Sequence, residues 1–340
     1  MNLVTSYLGF ALRNPLIASS SPNNADLDQL RRLDDAGVGA VVLPSLFQEQ
    51  LEAQSDAYEA ILAASADSSP EAQSYLPPLD TGPYGLGPER YLDLVRRAKD
   101  ALSVPVIASL NGSSNAGWTH YGSLLQEAGA AAIELNIYHV PVDIQVSGQQ
   151  IEQSYLDVLA AVRAAVTIPV AVKLPPYFSS IGHMAAQLVD AGADGLVIFN
   201  RFMQPDIDLV RLELSSELQL SRPDEMRLPL LWTALLAGRV DASLAASSGV
   251  DSADHIVKYL LAGADAVMAT AALLRHGPGH VRTLLAGLSE WLEIREIESL
   301  DRIRGQLSWA RAPGKDSYGR ANYLHLIETW TAAHRGMSYQ

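Results

Sequence analysis

The segment 131–141, AAIELNIYHVP, ends an apolar run on groups that a buried strand does not need. Asn136 brings a carboxamide, donor and acceptor on one side chain, and His139 follows with an imidazole. Lys173 closes a second apolar run, PVAVK, just before Leu-Pro-Pro. A lysine there either carries its ammonium out to a rim or holds a fixed positive charge against a ligand. In a ring of polar strand ends the second use is the better reading, and such a cation stabilises an anionic, electron-rich ring.

Groups like these need a scaffold that gathers strand ends. DDAGVGAVVL (34–43), QEAGAAAIEL (126–135), VDAGADGLVI (189–198) and LLAGADAVMA (260–269) each read as a helix end, Ala-Gly, then an apolar run. Glycine supplies the left-handed residue that closes a helix, and a continuously apolar run suits a strand buried on both faces. Further runs fall at 15–20, 104–109, 169–173 and 242–246, with helical periodicity at 25–36, 88–101, 115–128, 151–165, 180–191, 251–262 and 278–292. Eight strands alternating with helices predict an α/β fold, a (β/α)8 TIM barrel over residues 1–298. A doubly wound open sheet is the alternative, but no Gly-x-Gly-x-x-Gly follows an early strand. Two stretches exceed a minimal barrel, the Ser-, Pro- and Gly-rich 65–87 and the polar 201–229; both are expected to act as lids. The C-terminal extension 299–340 carries Trp309, Tyr318, Tyr323 and Trp330 and is expected to pack on the barrel or on a partner subunit.

In a barrel the strand C-termini face the site. In order they present Ser19, Ser20 and Ser21; Pro44 and Ser45; Asn111 and Ser113; Asn136 and His139; Lys173; Asn200 and Arg201; the turn AASSGVDS; and Thr270. Hydroxyls, amides and one lysine, with almost no carboxylate, disfavour a divalent metal and suit a large ligand rich in hydrogen-bonding groups. The stretch SSGVDSADHI reads as a small-residue turn entering a helix, with Asp251 or Ser252 as N-cap. Alone it is either an ordinary capped turn or a phosphate cradle; its place after the seventh strand favours phosphate.

Composition narrows the partners. A net charge of −14 opposes nucleic-acid binding. No apolar stretch approaches the roughly 18 residues of a membrane span and no leader opens the chain, so a cytoplasmic protein without a membrane partner is expected. The absence of cysteine excludes disulfides, thiolate zinc, a cysteine nucleophile and a cysteine-held iron–sulfur cluster on this chain.

NPLIASSSP, GAVVLPSL, IELNIYHVP, VAVKLPPYF, VIFNR and SGVDSADHIVKYLLAGADAVMATA, in this order over roughly residues 1–305, resemble the dihydroorotate dehydrogenase family, and its soluble class 1 most closely. The resemblance implies an FMN-dependent barrel that oxidises dihydroorotate to orotate in pyrimidine biosynthesis. It implies that Lys173 contacts the flavin ring and steadies charge on its reduced form. Asn136 then lies between flavin and substrate, and Asn200 binds substrate. Ser20, Ser45 and Asn111 stand near the flavin. Ser248 and Gly249 fall on the paired glycines of the phosphate loop, and Thr270 and Ala271 on its eighth-strand half.

Four departures accompany the match. His139 stands where the family has a cysteine or serine base, Pro141 where it has an asparagine, and Pro44 where it has a lysine. The stretch TGPYGLGPERY lacks the substrate asparagine expected there. His139 is either the replacement base, an imidazole titrating at about 6.5 being suited to neutral solution, or a loop residue turned outward. Beside dihydroorotate oxidation stand three alternatives: a paralogue acting on another dihydropyrimidine, a non-flavin phosphate-binding lyase or isomerase, and a non-catalytic flavin subunit of a redox complex. The expected partners are a small-molecule substrate, a second copy in a homodimer, and an electron-transfer protein, because any iron–sulfur relay must sit on another chain.

Overall fold

The structure is a computed structural model that describes residues 1–47, 87–111, 118–202, 204–215, 218–313, 318 and 321–334. The expected lid at 65–87, Gly87 apart, and Ser113 lie outside the described residues. The chain opens with a hairpin, β1 (Thr5–Tyr7) and β2 (Phe10–Leu12), and then builds a closed barrel. Its strands are β3 (Leu16–Ala18), β4 (Ala40–Phe47), β5 (Val106–Asn111), β6 (Ala132–Asn136), β7 (Val170–Leu174) and β8 (Gly195–Ile198). After an excursion carrying β9 (Asp206–Asp208) and β10 (Glu213–Ser215), β11 (Ser243–Ala246) and β12 (Ala266–Ala269) complete the ring. Every barrel pairing is parallel, β11 joins β8 to β12, and β12 returns to β3. The eight strands are those the sequence predicts, and the fold is the (β/α)8 TIM barrel.

The Ala-Gly joints explain how helices hand the chain to strands. Gly37, Gly129, Gly192 and Gly263 all have positive φ, a region that side chains with a Cβ enter at a cost. Each closes a helix whose apolar face packs on the strands, as Leu30, Leu33 and Ala36 do in Leu27–Ala36. That outer core runs around the whole ring between strands and helices.

A second, smaller cluster fills the barrel interior. Ile17, Ala40, Val42, Ile107, Ala132, Ala171, Val197, Ala245, Ala266 and Met268 point inward, and Tyr7, Leu8 and Leu12 of the hairpin close them from below. Short strands such as TSY and FAL carry too little periodicity to be read from sequence, and the hairpin is a feature that sequence reasoning missed. Its turn, Leu8-Gly9, has positive φ at both residues, the geometry two-residue hairpins favour. Leu8 presses so far into the floor that a Cβ on Gly195 would meet its Cδ2 at 2.5 Å. Leu8 N–H donates to Ser243 Oγ at 3.0 Å, and Thr5 Oγ1 to the Asp265 carbonyl at 2.8 Å.

The described residues of the excursion 201–229 carry regular structure. β9 and β10 pair antiparallel, a short turn of helix spans Pro223–Met226, and the helix Arg227–Leu236 begins within it. In the extension, Gly305 N–H donates to Leu260 O, Leu307 N–H to Leu261 O and Trp309 N–H to Ala234 O. The helix Ala321–His334 follows, with Tyr323, Ile327 and Trp330 exposed. Among the described residues no helix is long and apolar enough to cross a membrane.

Candidate active site

Two residues beyond the last inward apolar position, six of the eight barrel strands turn polar. Ile17 gives way to Ser19, Ile107 to Ser109, Ala132 to Glu134, Ala171 to Lys173, Ala245 to Ser247 and Met268 to Thr270. On β4 the register shifts between Val42 and Ser45, and this bulge keeps Ser45 inward, opposite Ser109. A further step along β5 and β6 places Asn111 beside Asn136, and Asn136 in turn pairs with Lys173.

These side chains hold one another. Asn200 Nδ2 donates to Asn136 Oδ1 at 2.5 Å, and Asn136 Nδ2 to Ser45 Oγ at 3.3 Å. Ser45 Oγ lies 2.8 Å from Ser109 Oγ. Lys173 Nζ reaches Ser19 Oγ at 3.4 Å and Glu134 Oε1 at 3.3 Å. The sequence reading left the mouth with almost no carboxylate and did not single out Glu134, which is 1 % exposed and lies inside the barrel. Its place within the apolar run AAIELN hid it, because a glutamate there reads as a strand residue until the alternation is known to point it inward.

Three buried tyrosines on the outer helices fix the strand ends, and sequence reasoning missed them too. Tyr91 accepts from Ser109 N–H at 2.9 Å, Tyr155 donates to Ile137 O at 3.1 Å, and Tyr259 donates to Ser247 O at 3.0 Å and Ser248 O at 2.8 Å. Burial pushes all three phenols far above their ordinary range, so they act as neutral hydrogen-bonding groups. Their signal was a lone tyrosine on each helix's Leu/Val/Ala face. Asn24 does similar service, donating to Ser19 O at 3.0 Å and Val42 O at 2.7 Å.

A hollow of about 170 Å³ opens above this layer, lined by Ser19, Ser20, Lys173, Asn200, Ser247, Ser248, Gly249, Thr270 and Ala271 among others. Its lining among the described residues includes two cations, Lys173 and Arg201, and no acidic side chain. It adjoins a larger hollow of about 480 Å³ that reaches Tyr177, Phe202 and the excursion; Asn200, Arg201 and Ser248 belong to both. Arg201 is paired with Glu225 at 2.7 Å and donates to the Gln219 carbonyl.

Ser248 and Gly249 have φ of 79° and 71°, two successive left-handed residues, just before the helix Ala253–Ala262. A Cβ on Gly249 would lie 2.9 Å from Met226 N, so this turn accepts only glycine there. Ser252 takes the N-cap position, and His255 Nδ1 accepts from Ser252 N–H at 3.1 Å. A cationic, hydroxyl-rich hollow ending at a tight turn and a helix N-terminus suits an anionic group such as a phosphate.

Most of the residues that the sequence singled out therefore converge. Ser20, Lys173, Asn200, Ser248, Gly249, Thr270 and Ala271 line the inner hollow, while Asn136, Ser45 and Asn111 stand in the neighbouring side-chain layer. His139 is half-buried on the segment after β6 and, among the described residues, lines neither hollow. Its neighbour Tyr138 stacks on Phe202 with ring centroids 4.4 Å apart.

A barrel with a phosphate-type turn after its seventh strand and a lysine at the end of its fifth belongs to a class shared by many enzymes. Comparison with known proteins is more specific. Residues 82–292, more than half of the chain, match the family model described as dihydroorotate dehydrogenase. The chain belongs to the dihydroorotate dehydrogenase family, dehydrogenases that act on CH–CH groups. It is 30% identical to a putative dihydroorotate dehydrogenase A (fumarate) of Aeropyrum pernix, over 62% of this chain and 70% of that one. It is 27% identical to the catalytic subunit of dihydroorotate dehydrogenase B (NAD(+)) of Pyrococcus abyssi, over 89% of this chain and 98% of that one. A third relative, the NAD-dependent dihydropyrimidine dehydrogenase subunit PreA of Escherichia coli, is 22% identical over 93% of this chain and 79% of its own.

Proposed function

We propose that the protein is an FMN-dependent oxidoreductase that oxidises dihydroorotate to orotate. The observation that carries the reading is the inner hollow: two cations, hydroxyls and a tight glycine turn, without an acidic lining residue among the described residues, around Lys173. Ser248, Gly249, Thr270 and Ala271 would hold the phosphate, and Ser19, Ser20 and Lys173 the ring. FMN supplies the acceptor for a hydride. The chain's own residues do the rest. Lys173 holds a positive charge where negative charge gathers. The Asn200–Asn136–Ser45 hydrogen bonds fix two carboxamides for a planar, amide-bearing substrate. His139 stands on the segment leaving Asn136, where the family has its base. Among the described residues its ring lines neither hollow, and it must turn inward to take the carbon-bound proton as general base.

A different dihydropyrimidine is the second reading. Pro44 and Pro141 occupy positions where the family carries polar orotate contacts, and one relative is a subunit of a dihydropyrimidine dehydrogenase. Exposed apolar residues on the β9–β10 hairpin, Ile207 and Leu214, and on the last helix support association with a second copy or with an electron-transfer subunit. The test is spectroscopic and then kinetic. Purified protein is expected to be yellow, to release FMN on denaturation, and to be bleached anaerobically by dihydroorotate. Colourless protein that takes up no FMN in a titration overturns the flavin assignment. Bleaching by dihydrouracil but not by dihydroorotate selects the second reading.

A further inference from the structure

Glu134 is buried and unused by the reaction just described. Its Oε1 accepts from Lys173 Nζ at 3.3 Å, and its Oε2 has no hydrogen-bond partner among the described residues. Lys173 is also withdrawn from water, with its side chain 10 % exposed, yet it lines the inner hollow. Its bonds to Glu134 and Ser19 occupy two of three ammonium donors and leave one for a ligand. Neither ion is stable here alone, since removing one member of a buried pair leaves an uncompensated charge. The field of Glu134 extends through the interior: after burial itself, its charge is the next cause raising the Tyr7 phenol.

We propose that Glu134 is a positioning residue, the counter-ion that keeps Lys173 charged and fixed at the wall of the hollow before any ligand arrives. This rests on the reading that the hollow receives FMN, and adds that the protein spends no proton of its own when the ring is reduced. In the wild type, reduction by dithionite takes two electrons and one proton, both into the ring, which ends as an anion beside an ammonium already present. In Glu134→Gln the oxidised complex holds a buried ammonium without a counter-ion, a form that burial disfavours and that gives up its proton. Reduction of the variant then takes two electrons and two protons, the second proton going to Lys173 Nζ.

The reduction potential of bound FMN, followed against pH, tests this. Glu134→Gln is expected to lose an additional factor of ten in the reduction equilibrium per pH unit, about 30 mV for a two-electron couple. Lys173→Met and the double variant are expected to keep the wild-type slope. A Glu134→Gln slope parallel to the wild type overturns the proposal. A flavin-free arm keeps it separate from the FMN reading. The chain has four lysines, Lys99, Lys173, Lys258 and Lys315, so 15N-lysine protein gives four Nζ signals, and Lys173→Met assigns one. In apo protein at neutral pH the Lys173 ammonium signal is expected in the wild type and lost in Glu134→Gln; its persistence in the variant overturns the proposal even if FMN never binds. Should Glu134→Gln not fold, the double variant is expected to be more stable than Lys173→Met, and a double variant no more stable shows that the two groups act independently.

Discussion

The floor and the mouth of the barrel are built from the same strands, two residues apart, and they are opposites in chemistry. At the floor, Ile17, Val42, Ile107, Ala132, Val197 and Met268 meet Tyr7, Leu8 and Leu12 of the N-terminal hairpin and exclude water. At the mouth, Ser19, Ser45, Ser109, Glu134, Lys173 and Ser247 fill the next inward positions and bond mostly to one another and to backbone. Burying an apolar side chain of this size contributes about 1.5–3 kcal/mol, whereas a buried polar group must find a partner to break even. The floor therefore carries stability, and the mouth is where the proposed chemistry takes place. The two meet at Glu134, whose charge acts upward on Lys173 and downward on Tyr7.

Substitutions on either side of that boundary are expected to separate function from fold. His139→Ala at the mouth is expected to slow substrate-driven flavin reduction by about 10²–10⁴-fold, the usual worth of a positioned base. FMN affinity and melting temperature should stay at wild-type values, because in the proposed function other strand ends hold the cofactor. Full activity in this variant would make His139 an outward-turned loop residue.

Tyr7→Ala at the floor should do the reverse, lowering stability by about 3–5 kcal/mol, as aromatic-to-alanine changes in cores do. Tyr7→Phe is the sharper probe. The phenol oxygen is buried without a hydrogen-bond partner among the described residues, so deleting it is expected to leave stability unchanged or raised. Denaturant unfolding of both variants measures this; a large loss in Tyr7→Phe would mean that the hydroxyl has a bridging water.

Lys173→Ala crosses the boundary. It removes the cation from the hollow and strands Glu134 in the interior. Flavin reduction is expected to slow at least about tenfold from the lost charge, and stability to fall with it because an uncompensated carboxylate remains. Stopped-flow reduction at wild-type rates would place the lysine's charge out of reach of the ring.

What the sequence made legible follows the same division. Long-range alternation and the Ala-Gly joints made all eight barrel strands and most of the helices legible, since each repeats a physical requirement several times; the helix Arg227–Leu236, which opens inside the polar excursion, was missed. The mouth residues were legible one by one, as amides, hydroxyls and a lysine at the ends of apolar runs. What stayed hidden depended on partners distant in sequence. The hairpin plug needs the barrel it fills, and Leu8 finds its place only against Gly195. Glu134 and the three helix tyrosines look like ordinary strand and helix residues until the partner's position is known.

The smallest effect is expected at the phosphate-type turn, and it depends on pH. His255 Nδ1 accepts from the N–H groups of Ser252 at 3.1 Å and Asp251 at 3.3 Å, which only an unprotonated nitrogen can do. Burial and, after it, Lys258 lower the pKa of His255 below its ordinary 6.5, against the opposing pull of Asp251 and Asp254. The folded protein therefore binds fewer protons at this site than the unfolded chain. Its contribution is fully present above about pH 6.5 and is lost as the pH falls below that value through the lowered one. The loss should not exceed what a helix cap is worth, about 1 kcal/mol. His255→Gln keeps an acceptor that does not titrate, so its melting temperature should fall less than the wild type's on acidification over this range. Equal acid slopes would show that the fall comes from carboxylates elsewhere, and that the turn leading into Ala253–Ala262 holds its shape without the imidazole.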